Sequence, residues 1–148
     1  MCSVLTKIDL IQAELSTFDI VTLSETWLKL TTNTNDIRLE GYHVTERTYR
    51  ITDGYGDVIV YVTNSIYYKR RKYLEGFGTE NIWIELIMSH NKHLLIGLFY
   101  RPPNSSQDTD TRIENSIDLA PNTGIQNIVI IGDFNLNPSV PTLARRHV

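Results

Sequence analysis

Three short polar clusters hold residue types suited to phosphoester chemistry: Ser24-Glu25-Thr26, Tyr100-Arg101 and Asp133-Phe134-Asn135. Together they supply two carboxylates, a carboxamide, a phenol and a guanidinium. Oxygen donors of this kind hold a hard cation, and a guanidinium beside them can engage a phosphodiester. Magnesium usually takes only one or two protein carboxylates and fills its remaining positions with water and phosphate, so Glu25 suffices as a direct anchor. Each cluster alone also has a plain structural reading. Glu25 fits a solvated loop carboxylate, Asp133 a turn residue bonded to nearby backbone, and Tyr100-Arg101-Pro102-Pro103 a strand terminator with a half-buried phenol.

The elements that must position these clusters follow from periodicity. Val4, Ile8, Ile11 and Leu15 share one stripe of a helix, with Thr6 and Asp9 spaced for a capping box. Residues 18–23 are short, mostly apolar and β-branched, which predicts a buried strand ending at Ser24-Glu25-Thr26-Trp27. Strands are predicted over 42–47, 58–62, 66–73, 82–88 and 93–100, as an antiparallel meander. Asp53-Gly54-Tyr55-Gly56 and Ser89-His90-Asn91-Lys92 provide turn chemistry between them. Arg101-Pro102-Pro103-Asn104 ends the last of these strands, because proline donates no hydrogen bond and restricts the residue before it. A short helix over 111–119 precedes a continuous apolar run, 128–131, that reads as a central strand with Gly132-Asp133-Phe134-Asn135 as its exit turn. All three clusters therefore fall at carboxyl ends of strands, where open α/β sheets commonly place their sites.

Bulk properties narrow the class. A length of 148 residues fits one domain over 1–148, and 41% hydrophobic with 21% charged residues is ordinary for a soluble globular chain. No apolar run approaches the roughly 18 residues of a membrane span, so no membrane partner is expected. Lys7 and Asp9 interrupt the stretch where a secretory signal would lie. The single cysteine, Cys2, has no partner for an internal disulfide or a zinc site, which favours an intracellular setting. Without an export signal, Asn104-Ser105-Ser106 is read as a loop tripeptide and not as a glycosylation site. A net charge of −3 argues against wrapping a polyanion through a broad basic face, although a carboxylate-bound metal can supply positive charge locally.

The order and wording of Ser24-Glu25-Thr26-Trp27-Leu28, Tyr100-Arg101-Pro102-Pro103-Asn104-Ser105 and Gly132-Asp133-Phe134-Asn135 resemble the endonuclease domain of non-LTR retrotransposons, within the exonuclease-endonuclease-phosphatase superfamily. The resemblance spans Val4 to Asn137. It implies an α/β fold in which a two-sheet β-sandwich is flanked by helices, the deoxyribonuclease I-like four-layer arrangement. It further implies that Glu25 binds magnesium, or manganese in its place, and that Tyr100 contacts the scissile phosphate. Asp133 would orient or deprotonate the attacking water, Asn135 would hold the phosphate in the transition state, and Arg101 would be a neighbouring substrate contact. The implied substrate is DNA, nicked on one strand to prime reverse transcription. A reverse-transcriptase domain is then expected in the full-length element, and the substrate implies a nuclear location.

Two departures from the family pattern bear on activity. The family carries an asparagine at the end of its first strand, where this chain has Met1-Cys2-Ser3, and a late Ser-Asp-His, where this chain ends Arg145-Arg146-His147-Val148. His147 in a basic tail is a poor substitute. The fold is accordingly expected to be incomplete at both ends, with weak or absent nicking and exposed strand edges that favour association. Three alternatives remain open: a phosphatase of the same superfamily, a non-catalytic nucleic-acid or protein-binding domain, and a remnant without a selected role. Tyr67-Tyr68-Lys69-Arg70-Arg71-Lys72-Tyr73 is the one dense basic patch, readable as a backbone contact for DNA or as a charge-protected edge strand. Trp27 and Trp83 are expected to anchor the core.

Overall fold

A computed structural model describes residues 4–48 and 57–136. The expected turn at Asp53-Gly54-Tyr55-Gly56, and His147, lie outside the described residues. The chain opens with a 3-10 turn, Val4–Lys7, that runs into helix α1, Ile8–Leu15. The N-cap position of α1 is Lys7, whose side chain makes no capping bond, and the helix is entered through the tighter 3-10 turn. The stripe itself holds: Val4, Ile8, Ile11 and Leu15 all pack on one apolar cluster.

Seven strands follow among the described residues: β1 Ile20–Ser24, β2 Glu46–Arg47, β3 Val58–Val62, β4 Tyr67–Arg70, β5 Glu80–Met88, β6 Lys92–Tyr100 and β7 Asn127–Asp133. They form two sheets, one in the order β1-β3-β2 and the other β4-β5-β6-β7. The expected single meander is thus divided. Only β4, β5 and β6 continue antiparallel from one to the next, while β2 and β3 join β1 in the other sheet. The segment expected to be a strand over 42–47 is reduced to a bridge at Tyr42 and the two residues of β2.

Alternation along the strands builds the layers. Val58, Val60 and Val62 of β3 face Ile82, Ile84 and Leu86 of β5 and Ile96 and Leu98 of β6, giving an aliphatic layer between the sheets. The opposite face of β3, Ile59 and Tyr61, packs with Val21, Leu28, Ile37, Leu39 and Tyr42 beneath α1. Tyr42 locks that helix in place, its hydroxyl 2.8 Å and 2.6 Å from the carbonyl oxygens of Leu15 and Phe18.

The outer face of the second sheet carries Trp83, Leu95 and Phe99, covered by helix α2, Gln107–Leu119, through Ile113. Gly97 lies opposite Trp83, and a Cβ there would come within 2.6 Å of the indole ring. Ser116 of α2 accepts hydrogen bonds from Asn81 and Trp83 and donates to the Leu74 carbonyl, so the helix is fixed by polar contacts as well as by packing. Its start lies four residues before the expected 111, because Ser106 caps it and Asp108 and Asp110 occupy its first turn. The result is helix, sheet, sheet, helix, the four-layer α/β sandwich anticipated from the sequence.

β7 runs parallel to β6 after the α2 crossover, with Tyr100 opposite Asp133. It is an edge strand among the described residues, not a central one: Val129, Ile130 and Ile131 are 42%, 37% and 40% exposed. No helix of the described residues is long and apolar enough to cross a membrane.

Candidate active site

The carboxyl ends of β1, β6 and β7 come together at one end of the sandwich. Ser24 ends β1 opposite Val58, the first residue of β3, and Tyr100 ends β6 opposite Glu80 on one side and Asp133 on the other. The clusters chosen from the sequence are therefore neighbours, although 75 and 33 residues separate Glu25 and Asp133 from Tyr100.

Glu25 leaves β1 with φ at 53°, and Trp27 follows at 56°. Left-handed backbone is costly for residues with a Cβ and persists only where the surroundings enforce it. Here Thr26 and Leu28 supply the enforcement: both are buried, and the Thr26 carbonyl accepts a hydrogen bond from the Val4 amide. With Thr26 turned inward, the Glu25 carboxylate is turned out to solvent at the mouth of the site. The hydroxyl of Tyr100, whose side chain reaches from the layer between the sheets, donates to Glu25 Oε1 at 2.5 Å. Such short bonds are typical of a hydroxyl donating to a carboxylate.

Asp133 is exposed, and its Oδ1 accepts from the Asn135 amide at 3.1 Å, closing a tight turn. Gly132 is required immediately before it, since a Cβ at that position would overlap the carbonyl of Phe99. Phe134 turns into the core and stacks on Phe99, with ring centroids 6.0 Å apart. Asn135 has φ at 42° and donates from Nδ2 to the Arg101 carbonyl at 3.0 Å. One amide hydrogen of that carboxamide remains for another acceptor.

Arg101 lies beside this turn, but its guanidinium faces Asp110 of α2, with Nε 2.5 Å from Oδ1 and Nη2 3.2 Å from Oδ2. The Asp110 hydrogen bond outweighs partial burial and raises the pKa of Arg101 above its ordinary value. A cavity of about 320 Å³ opens next to Asp133, between Thr22, Leu23 and Ser24 of β1 and Ile131, Gly132 and Asp133 of β7.

A buried charged cluster beneath the site was not visible in the sequence. Arg47 pairs with Asp57 at 3.1 Å, and the Asp57 amide donates to Glu80 Oε2 at 2.9 Å. Arg47 also donates to the carbonyls of Thr32 and Lys29. All three charged side chains are buried, and Glu80 lies directly across from Tyr100. Their partners come from separate segments of the chain, so no local spacing signals the cluster.

The basic patch is largely neutralised. Arg70 bonds to Glu46 at 2.9 Å and to Glu75 at 2.8 Å, and Arg71 forms an ion pair with Glu85. It also lies on β4, at the far edge of the sheet from β7. Trp83 is fully buried as expected, while Trp27 is half-buried.

The exposed Glu25 carboxylate is a hard oxygen donor, suited to a cation such as magnesium, which takes only one or two carboxylates from a protein. No group of three or more His, Cys, Asp and Glu that could hold a metal gathers among the described residues. The three described histidines lie elsewhere. His43 is bonded to the Ile66 carbonyl, and His90 and His93 are at the other end of the β5–β6 hairpin.

The sequence model of the Endonuclease/Exonuclease/phosphatase family matches residues 3–147. No curated protein matches the chain. Among solved structures, the chain is similar to the endonuclease domain of TRAS1, a telomere-specific non-LTR retrotransposon, with a TM-score of 0.64 and 12% identity over 93% of this chain and 56% of that one. It is also similar to the human Nocturnin catalytic domain with bound sulfate, with a TM-score of 0.59 and 12% identity over 92% and 58%. A 3'-5' exonuclease from Neisseria meningitidis gives a TM-score of 0.59 and 15% identity over 92% and 56%. At these identities the likeness establishes the fold. The chain spans little more than half the length of each of the three.

Proposed function

Because the chain belongs to the endonuclease/exonuclease/phosphatase family, we propose that its strand-end site is a metal-dependent phosphodiesterase centre that acts on DNA, in the manner of a retrotransposon endonuclease nicking its target. The observation that carries this reading is the 2.5 Å bond from Tyr100 to Glu25, made at the mouth of the sandwich beside Asp133. A structural hydrogen bond between sheets would be expected in the core, not on an exposed carboxylate held in left-handed backbone.

Glu25 would hold the magnesium, which when bound supplies Lewis-acid polarisation of a phosphoryl oxygen. Tyr100 orients the Glu25 carboxylate. Its single phenolic proton serves one acceptor at a time, Glu25 in the structure described and a non-bridging phosphate oxygen when DNA is bound. Asp133 has Oδ1 engaged by the Asn135 amide, which leaves Oδ2 to accept a proton from the attacking water. The second Nδ2 hydrogen of Asn135 is suited to a phosphate oxygen whose charge grows in the transition state. Among the described residues, Asp133 is the carboxylate placed to act as the base.

Two measurements on the full chain test the reading. Titration with Mn²⁺, followed by electron paramagnetic resonance, is expected to show binding that Glu25→Ala removes. Supercoiled plasmid in magnesium is expected to convert slowly to the open circle, EDTA to stop it, and Asp133→Asn to lower the rate about 10²- to 10⁴-fold. Mn²⁺ binding untouched by Glu25→Ala overturns the proposal. Phosphate release from nucleotides without nicking reassigns the chain as a phosphatase, and DNA binding that persists in EDTA without hydrolysis reassigns it as a binding domain.

A further inference from the structure

Resting on the phosphodiesterase reading, we propose that Arg101, acting with Asp110 of α2, is a positioning residue that sets the pose of the Asp133–Asn135 turn, and that its guanidinium does not contact phosphate. An arginine side chain has five N–H donors. In this structure five acceptors surround them. Nε and Nη2 reach Asp110 Oδ1 and Oδ2, Nη2 also reaches the Ser105 carbonyl at 3.5 Å, and Nη1 reaches the carbonyls of Phe134 and Asn135 at 3.5 Å and 3.3 Å. The side chain is 13% exposed, so it also lacks an open face for a DNA backbone.

The main chain of Arg101 grips the same turn. Its amide donates to the Asp133 carbonyl at 2.8 Å, and its carbonyl accepts from Asn135 Nδ2 at 3.0 Å. One residue thus bonds to the backbone or side chain of Asp133, Phe134 and Asn135. That density of contacts has a physical purpose. Asn135 is held at φ 42°, and a strained residue stays in place only when its surroundings over-determine it. Asp110 completes the clamp by fixing the guanidinium to the first turn of α2, which is itself seated on the sheet through Ile113 and Ser116. A planar fork can span a carboxylate on one side and two carbonyls on the other, whereas an ammonium reaches only one of them.

The two roles for Arg101 give opposite results at Asp110. If Arg101 were a phosphate contact, Asp110→Asn would free it and tighten DNA binding, lowering KM. If Arg101 is a clamp, Asp110→Asn loosens the turn and lowers kcat about 10-fold or more with KM little changed, because small misplacements of catalytic groups are costly. Arg101→Lys, which keeps the charge, is expected to behave like Asp110→Asn and not like wild type. Hydrogen exchange supplies a readout independent of turnover: the Asn135 amide, bonded to Asp133 in the wild-type chain, is expected to exchange about tenfold faster in both variants. Mn²⁺ binding at Glu25 is expected to be unchanged, since Glu25 leaves β1 of the other sheet and its partner Tyr100 is fixed within β6, outside the turn that the clamp holds. A lowered KM in Asp110→Asn, or unaltered exchange at Asn135 in both variants, overturns the clamp. Loss of the phosphodiesterase reading itself would show instead as Mn²⁺ binding indifferent to Glu25→Ala, with the exchange result still deciding the clamp.

Discussion

The hydroxyl of Tyr100 and the carboxylate of Glu25 meet at 2.5 Å although one belongs to the four-stranded sheet and the other leaves the three-stranded sheet. The contact ties the two layers together at the end where Asp133 lies opposite Tyr100. Tyr100→Phe keeps the buried ring and removes only the donor. Because Glu25 is exposed and water can replace the lost partner, the expected cost in urea denaturation is small, about 1 kcal/mol. The larger effect is expected on Mn²⁺ affinity, which should fall because Glu25 is no longer oriented. Unchanged affinity in Tyr100→Phe would show that the bond does not organise the carboxylate.

Backbone strain at Glu25 gives a second outcome. Elsewhere in a folded chain alanine is usually more stable than glycine, but at φ 53° the order should invert. Glu25→Ala and Glu25→Gly both lose the carboxylate, so comparing them isolates the backbone. The glycine variant is expected to be more stable by about 1 kcal/mol in chemical denaturation. Equal or reversed stabilities would mean that the left-handed conformation carries no cost here.

Much of this architecture is legible in the sequence, and most of the rest depends on contacts between distant segments. The strand over 58–62 was read with its observed bounds, because five β-branched or aromatic residues buried on both faces leave no other reading. The helical stripe Val4, Ile8, Ile11 and Leu15 was equally plain. Strand composition does not encode which sheet a strand joins, and so β2 and β3 were misplaced in one meander with β4 to β6. The start of α2 was missed although its signal was present, with Ser106 before Asp108 and Asp110. At the site, the sequence places the three clusters at strand exits, and the fold sets Tyr100 against Glu25 and opposite Asp133. The Arg47–Asp57–Glu80 group and the partnership of Arg101 with Asp110 were not readable, since each depends on side chains brought together by the fold.

Glu85 is expected to make stability depend on acidity. Burial alone would raise its pKa, but the hydrogen bonds and charges of His93 and Arg71 outweigh that and hold it below the ordinary value of 4.5. A carboxylate depressed in the folded state contributes stability that is present above about pH 4.5 and is lost as pH falls through the lower folded value. Glu85→Gln is expected to cost roughly 2 kcal/mol near neutrality, a figure kept modest because Arg71 and His93 are about a third exposed and can be rehydrated. The same variant should flatten the decline in stability on acidification. Wild type and Glu85→Gln losing stability in parallel below pH 4.5 would remove Glu85 as the cause.

The two edges of the four-stranded sheet are protected very differently. β4 carries the exposed Lys69, a charge that discourages pairing with another chain, whereas β7 presents Val129, Ile130 and Ile131 with no charge before Asp133. An apolar edge strand that no other strand pairs with among the described residues promotes association. Val129 is the most exposed of the three and belongs to no core cluster, so lysine there should leave the fold intact while adding the missing protection. Light scattering across a concentration series is expected to show wild-type association that Val129→Lys reduces. A wild-type chain that remains monomeric at high concentration, or a variant that associates just as strongly, would show that the β7 edge is not the surface responsible.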